Sequence, residues 1–405
     1  MDCVDEFYRY KDLSLLKKTT LVIPTNNRNY YLSRCLWYHA HFPFGEIIIA
    51  DSSSEDKKNV NQEITQKIIK KFGTRVRYLE YEQETEIYGG DIVKKWGNAV
   101  QHVETEYTQI CTDKQFLIPT SICKSIQYLE KNNDYASAGG KEYQLQTKKD
   151  DIRDPSGYFL VLGDATRVSE TSNNSTERFI HSFVCLSPMH NGLILQATKS
   201  KILKYLYSQV LQYDVNDSKH SEILLGHLGH IYGKYHCLEN EIYLIRDNRG
   251  IQHDKKIKPT IGSNESSASK FQNIYRELGD KPEFYEKFKN CLVNQLTIYN
   301  EITFENAQRL VDDIVKKRLE ACNDPPTLRS IMATRHPFLL DIWYNLPTEL
   351  QNVINKSTSK TCKFTLPTNR INKFSDKTKP ESIVIKIVET TAYLQSDDLP
   401  IPLNY

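Results

Sequence analysis

The sequence predicts an α/β fold with a mostly parallel central sheet over residues 1–259, followed by a mainly helical C-terminal region. Three observations carry this. Between residues 20 and 143, short β-branched runs alternate with longer stretches whose apolar residues recur at helical spacing, which is the pattern of successive βαβ units. EIIIAD (46–51) is almost purely apolar, as a strand buried on both faces must be. Beyond residue 270 the periodicity is helical, and Ala307, Leu310, Val311, Ile314 and Val315 form one amphipathic stripe.

TLVIPT (20–25) is the first strand, and Tyr31, Leu32, Cys35, Leu36 and Tyr38 mark the helix that follows it. After EIIIAD, Ile64, Ile68, Ile69 and Phe72 lead to a helix stop at Gly73, and RVRYLEY (75–81) reads as the third strand. The next helix starts near Gly90 with Val93, Trp96, Gly97 and Val100 as its stripe, and YTQICTD (107–113) is a fourth strand that stops at an aspartate. A helix over 120–131 and the strand DYASAGG (134–140) complete the first half. Residues 144–180 turn polar and read as an insertion or mobile lid. Residues 181–259 hold a helix from Lys201, a second over 218–232 closed by Gly233, and the β-rich HCLENEIYLIRDN. A Ser/Asn-rich linker (260–269), the helical region (270–357) and a basic, proline-containing tail (358–405) follow.

Lys and Arg number 53 against 51 Asp and Glu, a net charge of +2 that argues against bulk nucleic-acid binding. No apolar run approaches the roughly 20 residues of a membrane span, and MDCVDEFYRY lacks the apolar core of a signal peptide. These features predict a cytoplasmic protein. The nine scattered cysteines, with no C-x-x-C pair, then read as reduced thiols. Residues 351–380 carry seven Lys/Arg and one acid, which suits either a solvated tail or peripheral contact with the inner face of an anionic membrane.

In an open parallel sheet, ligands bind beyond the carboxyl ends of the strands. Here those ends read Pro24-Thr25-Asn26-Asn27-Arg28, Asp51-Ser52-Ser53-Ser54 and Thr112-Asp113-Lys114-Gln115. Hydroxyls, carboxylates and cations at one rim suit a nucleotide, while the same residue types also cap helices. No glycine-rich phosphate loop is present, which argues against a dehydrogenase or an ATPase. His227 and His230 have a spacing that could chelate a metal, but without a partner motif they read as core or surface histidines.

TLVIPTNNRNYYLSRCL followed by EIIIADSSSED resembles the opening of family-two-like glycosyltransferases with the GT-A fold, in particular a bacterial subgroup whose first strands end in PTxNR and DSS. Gly97-Asn98 and then ICTDKQFLIP stand where that family has a helix and a D-x-D followed by an apolar residue and proline. The segment NDSKHSEILLGHLGHIYGKYHCLENEIYLIRDN is similar to the family's acceptor side. The resemblance implies a nucleotide-sugar site of Pro24, Thr25, Arg28, Asp51, Ser53, Asn98 and Lys114, and a divalent cation (Mn or Mg) at Asp113, Gln115 and His253. It further implies an inverting transfer to a glycan or lipid-linked acceptor, with Glu222 or Asp217 as general base. Lys114 and Gln115 replace the family's downstream acids, so charge could also come from Lys114 without a metal. Two alternatives stay open: a catalytically degenerate scaffold or sugar-nucleotide-binding protein, and a nucleotidyl- or sugar-phosphate transferase.

Overall fold

The computed structural model describes residues 12–83, 91–147, 158–164, 169–184, 195–215, 218–247, 277–278, 280–300 and 302–323. A 3-10 turn (Ser14–Lys18) leads into β1 (Thr19–Thr25), α1 (Asn29–His39), β2 (Glu46–Asp51), α2 (Glu55–Phe72), β3 (Val76–Glu80), α3 (Asp91–Gln101) and β4 (Tyr107–Ile110). Then come β5 (Gln115–Leu117), α4 (Pro119–Lys131), β6 (Tyr135–Thr147), β7 (Tyr158–Asp164), α5 (Ser175–Val184), β8 (Ala197–Lys199), α6 (Ser200–Gln212), α7 (Ser218–Tyr232) and β9 (Lys234–Asp247). Two long helices, α8 (Pro282–Asn300) and α9 (Phe304–Asn323), end the described chain. The linker and the basic tail lie outside the described residues.

The strands form one nine-stranded sheet in the order β3-β2-β1-β4-β8-β6-β9-β5, with β7 paired to β6. It is mixed, which corrects the mostly parallel expectation: four pairings are parallel and four antiparallel. Only β1 to β4 make the parallel block that βαβ spacing announces. The three-residue β5 and β8 lack a periodic signature of their own, and they reverse direction. The fourth strand also ends at Ile110 rather than Asp113, because Thr112 and Gln115 close a turn there. The predicted strand over 134–140 runs on to Thr147, and the polar stretch after it contributes β7 and the start of α5.

Local chemistry accounts for the elements. In α2, Glu55 and Asp56 occupy the first turn and Lys70 and Lys71 the last, in the sense that complements the helix dipole, and Gly73 ends it in the left-handed conformation at φ 65°. Every residue of β1 and β2 is buried. Pro24 is tolerated in the central β1 because its nitrogen faces the β4 side, where pairing has already ended at Val22↔Ile110.

Chain order fixes where a ligand site can form. The β1-α1-β2 and β2-α2-β3 crossovers run one way along the sheet, whereas β3-α3-β4 returns past both strands to the far side of β1. Right-handed crossovers therefore put α1 and α2 on one face and α3 on the other, and leave a crevice between the carboxyl ends of β1 and β4. The sheet also curls. In a flat sheet β5 would lie about 19 Å from β4, at about 4.8 Å per strand. The Cys111–Lys114 connection, half of it folded into the turn, reaches at most about 14 Å. The far strands therefore bend round until the start of β5 lies beside the end of β4.

Behind the sheet, α7 packs on α3 and α6, and α5 and α8 pack on α7. Phe288, Cys291, Leu292 and Leu296 of α8 are buried in the common core, and Ala307, Val311 and Val315 give α9 its buried stripe. His227 is core as well, stacked on Phe183 with ring centroids 3.8 Å apart. Among the described residues, no helix is long and apolar enough to cross a membrane.

His230 is buried with neither ring nitrogen hydrogen-bonded. Burial pushes its pKa down to about 4, helped by Arg178 and His181 and opposed by Glu170. A histidine whose folded pKa is depressed costs stability as pH falls from the unfolded value of 6.5 towards the folded one. Urea unfolding at pH 7 and pH 5 is expected to show a loss of stability at pH 5 that His230→Leu reduces.

Candidate active site

The crevice between β1 and β4 is occupied by the carboxylate of Asp113, on the turn after β4. Thr25, the last residue of β1, donates its hydroxyl to Asp113 Oδ2 at 2.9 Å, and Arg28 Nη1 approaches Oδ1 at 3.4 Å. Asp113 is 2% exposed and Arg28 44%, so the guanidinium reaches from solvent onto a buried acid. Burial raises the Asp113 pKa, while the Arg28 charge, the Thr25 hydrogen bond and the Lys114 charge work in the opposite direction. Lys114 extends over the Tyr31 ring, 4.6 Å from its centroid.

The loops on either side are stapled together. Asn27 adopts a left-handed conformation at φ 55°. Its amide donates to Ser53 Oγ at 2.7 Å, and its Oδ1 accepts the Ser54 amide at 2.9 Å. Sequence reading overlooked Lys95, on the face of α3 that also carries Ala99. Its buried ammonium donates to Ser52 Oγ at 2.6 Å and to the Thr25 carbonyl at 3.2 Å, placing a cation beneath both strand ends. No local pattern announces it, because Lys95 lies off the apolar stripe of Val93, Trp96, Gly97 and Val100.

The structure thus brings Thr25, Arg28, Ser53, Asp113 and Lys114 to one rim, with Pro24 buried just before Thr25. Asp51 has a different environment. Its Oδ1 accepts the Ser53 amide at 2.8 Å, and its Oδ2 accepts Asn61 Nδ2 at 2.6 Å and the Tyr78 hydroxyl. With no exposed surface and both oxygens engaged, it ties β2 to α2 and β3. Asn98 lies on the β3 side of the molecule, in a cleft of about 440 Å³ shared with Tyr78, Tyr81 and His102.

Gln115 is fully buried, and its Oε1 accepts the Thr112 amide at 2.8 Å, so the amide closes the turn that carries Asp113. Behind that turn, Cys35 and Cys111 each place a thiol within 3.5 Å of the Gln115 carbonyl. The ligand-type atoms of Cys35, His39 and Cys111 lie within 4.8 Å of one another. However, the Leu117 amide donates to His39 Nε2 at 3.2 Å, so His39 Nδ1 carries the hydrogen that it gives to the Cys35 carbonyl at 2.7 Å. Both ring nitrogens are in use, and the cluster acts as a brace for the turn.

Glu222 lies on α7, near enough to the buried Tyr207 of α6 to raise its hydroxyl pKa further after burial has done so. Asp217 and His253 lie outside the described residues.

No family model matches this chain, and no curated protein does. Among solved structures, S. aureus TarS 1-349 in complex with UDP is similar over 93% of this chain and 91% of its own, at 10% identity and a TM-score of 0.42. The same protein in complex with UDP-GlcNAc matches 76% of this chain and 93% of its own, at 13% identity and 0.39. The mannosyltransferase PcManGT from Pyrobaculum calidifontis, in complex with GDP-Man and Mn2+, matches 85% of this chain and 86% of its own, at 12% identity and 0.38.

The two aspartates separate structure from ligand binding. Asp51→Ala strands three polar partners and is expected to cost on the order of 3 kcal/mol in chemical denaturation. Asp113→Asn keeps an acceptor for Thr25 and removes a buried charge, so its thermal midpoint is expected to hold or rise.

Proposed function

We propose that this chain is an inverting glycosyltransferase with a GT-A-like donor domain, transferring a sugar from a nucleotide-sugar donor to a glycan or lipid-linked acceptor in surface polysaccharide synthesis. The observation that carries this reading is the hold on Asp113: a buried carboxylate at the crevice between β1 and β4, gripped by Thr25 and Arg28 of the PTNNR segment. A nucleoside diphosphate gains negative charge as the anomeric bond breaks, and preorganised cations at that point lower the barrier. Arg28 and Lys114 flank Asp113, and Lys95 lies beneath Thr25.

A divalent cation, Mn2+ or Mg2+, would be held at this rim by Asp113, whose Oδ2 accepts from Thr25 and whose Oδ1 faces the exposed Arg28, together with donor phosphates. When bound it would supply Lewis-acid stabilisation of the leaving diphosphate. Gln115 shapes the turn and is not a ligand in this reading. Glu222 or Asp217 takes the proton from the acceptor hydroxyl as it attacks the anomeric carbon. Transfer is assigned to the cytoplasmic face, with the basic segment at 351–380 suited to peripheral membrane contact.

One observation favours a second reading. With Gln115 turned inward, the altered D-x-D presents a single carboxylate, as a catalytically degenerate scaffold or a sugar-nucleotide sensor would. Release of pyrophosphate or a nucleoside monophosphate, in place of a diphosphate, would instead indicate a nucleotidyl- or sugar-phosphate transferase.

Calorimetric titration with UDP-, GDP-, CMP- and dTDP-sugars, with and without Mn2+, is expected to find one nucleotide whose binding weakens in Asp113→Ala. No binding by the folded chain overturns the donor site. Any Mn2+ dependence is expected to strengthen as pH rises through the raised pKa of Asp113, because the cation needs the carboxylate. Glu222→Gln is expected to preserve donor affinity and lower turnover by at least about 10²-fold; near-normal turnover rejects Glu222 as the base.

A further inference from the structure

Arg34, on α1, is 4% exposed and carries an unfilled hydrogen-bonding edge. The faces of its guanidinium are covered by Tyr30 and Phe116, whose ring centroids lie 5.2 and 5.5 Å from Cζ. Nη1 donates to Asp247 Oδ2 at 2.7 Å, whereas Nε and Nη2 are buried with no acceptor. Those two nitrogens form the side-on fork of the guanidinium, whose parallel N–H bonds match two oxygens of a phosphate or carboxylate. An ion pair serving stability alone gains most when that fork grips the carboxylate. Here Asp247 takes the terminal nitrogen, and two buried donors remain unsatisfied, a cost the fold does not recover internally.

Arg34 and Asp247 adjoin the turn that carries Asp113. The Asp247 amide donates to the Lys114 carbonyl at 2.7 Å, so the path from Arg34 through Asp247 to the Asp113 turn has two polar contacts. Arg28, Arg34 and Lys114 there outnumber the carboxylates of Asp113 and Asp247, which favours an anion. Of the two rings that cover the guanidinium, Tyr30 is half-buried and Phe116 is buried.

We infer that the Nε/Nη2 edge of Arg34 is a bidentate oxyanion site, taking a phosphate or carboxylate of a molecule bound at the Asp113 rim. Asp247 orients the guanidinium, and the surrounding rings exclude water from the pairing. The inference deepens the donor-site reading and rests on it for which molecule bears the oxyanion: the donor's diphosphate or an anionic acceptor.

Arg34→Lys tests this in the full chain, because an ammonium keeps the charge and the Asp247 pair but has no fork. The probes are inorganic pyrophosphate, UDP and glycerol 3-phosphate, titrated calorimetrically. With an unchanged thermal midpoint, Arg34→Lys is expected to weaken at least one probe about tenfold or more. Loss for pyrophosphate and UDP assigns the oxyanion to the donor, and loss for glycerol 3-phosphate alone assigns it to the acceptor. Equal binding by wild type and Arg34→Lys, or no binding of any probe by wild type, overturns the site. Should Arg34→Lys fail to fold, the double variant Arg34→Met/Asp247→Leu replaces the ion pair with apolar side chains and must show the same loss. Nucleotide-sugar binding that depends on Asp113 but not Arg34 leaves the transfer reading standing without this site. Arg34-dependent phosphate binding with no nucleotide-sugar binding does the reverse.

Discussion

A carboxylate removed from water must be surrounded by donors or charge, and the architecture around the crevice can be understood as the answer to that demand at Asp113. Its oxygens meet Thr25 from the end of β1 and Arg28 from the loop beyond it. The turn that carries it is closed from inside by the Gln115 amide, braced from behind by Cys35 and Cys111, and pinned at Lys114 by the amide of Asp247. Three stretches of the chain, 25–35, 111–115 and the end of β9 at Asp247, therefore meet at this turn. Because burial raises the Asp113 pKa despite these partners, its ionised form is held under tension that a cation or a cationic ligand group can relieve.

Such a site must be rigid if it is to stabilise charge that develops only during a reaction. Rigidity comes from a polar layer just below the rim. Asp51 joins β2, α2 and β3, Asn27 and Ser53 lock the first two loops together, and Lys95 ties α3 to both strand ends. None of these groups needs to touch a ligand to matter. Each removes a conformational freedom that Thr25, Arg28 or Asp113 would otherwise keep.

Much of this was legible in advance. Apolar periodicity located α1, α2, α3 and α7, and β2 at its exact bounds, because each is amphipathic or uniformly buried along its own length. Thr25, Arg28 and Asp113 were visible as polar residues just beyond apolar runs, where a parallel sheet leaves its ligand side open. Asp51 and Gln115 were equally visible by type and position, but whether each faces a ligand or the protein depends on Asn61, Tyr78 and the Thr112 turn. No periodicity encodes those partners. Arg34 and Asp247 are 213 residues apart, and nothing local to either announces the other.

The sequence by itself determined the α/β class, the alternation of strands and helices through the first half and the set of polar residues at the carboxyl ends of its strands, since these follow from hydrophobic spacing and residue chemistry within short windows. The tertiary structure alone decided that the sheet is mixed and curled, that Gln115 is a structural amide, and that Arg34 pairs with Asp247 through Nη1 while Nε and Nη2 stay buried without an acceptor. The physical reason is that strand pairing and the burial of polar side chains are settled between segments far apart in the chain, where the favourable partner is chosen by geometry and desolvation rather than by local propensity.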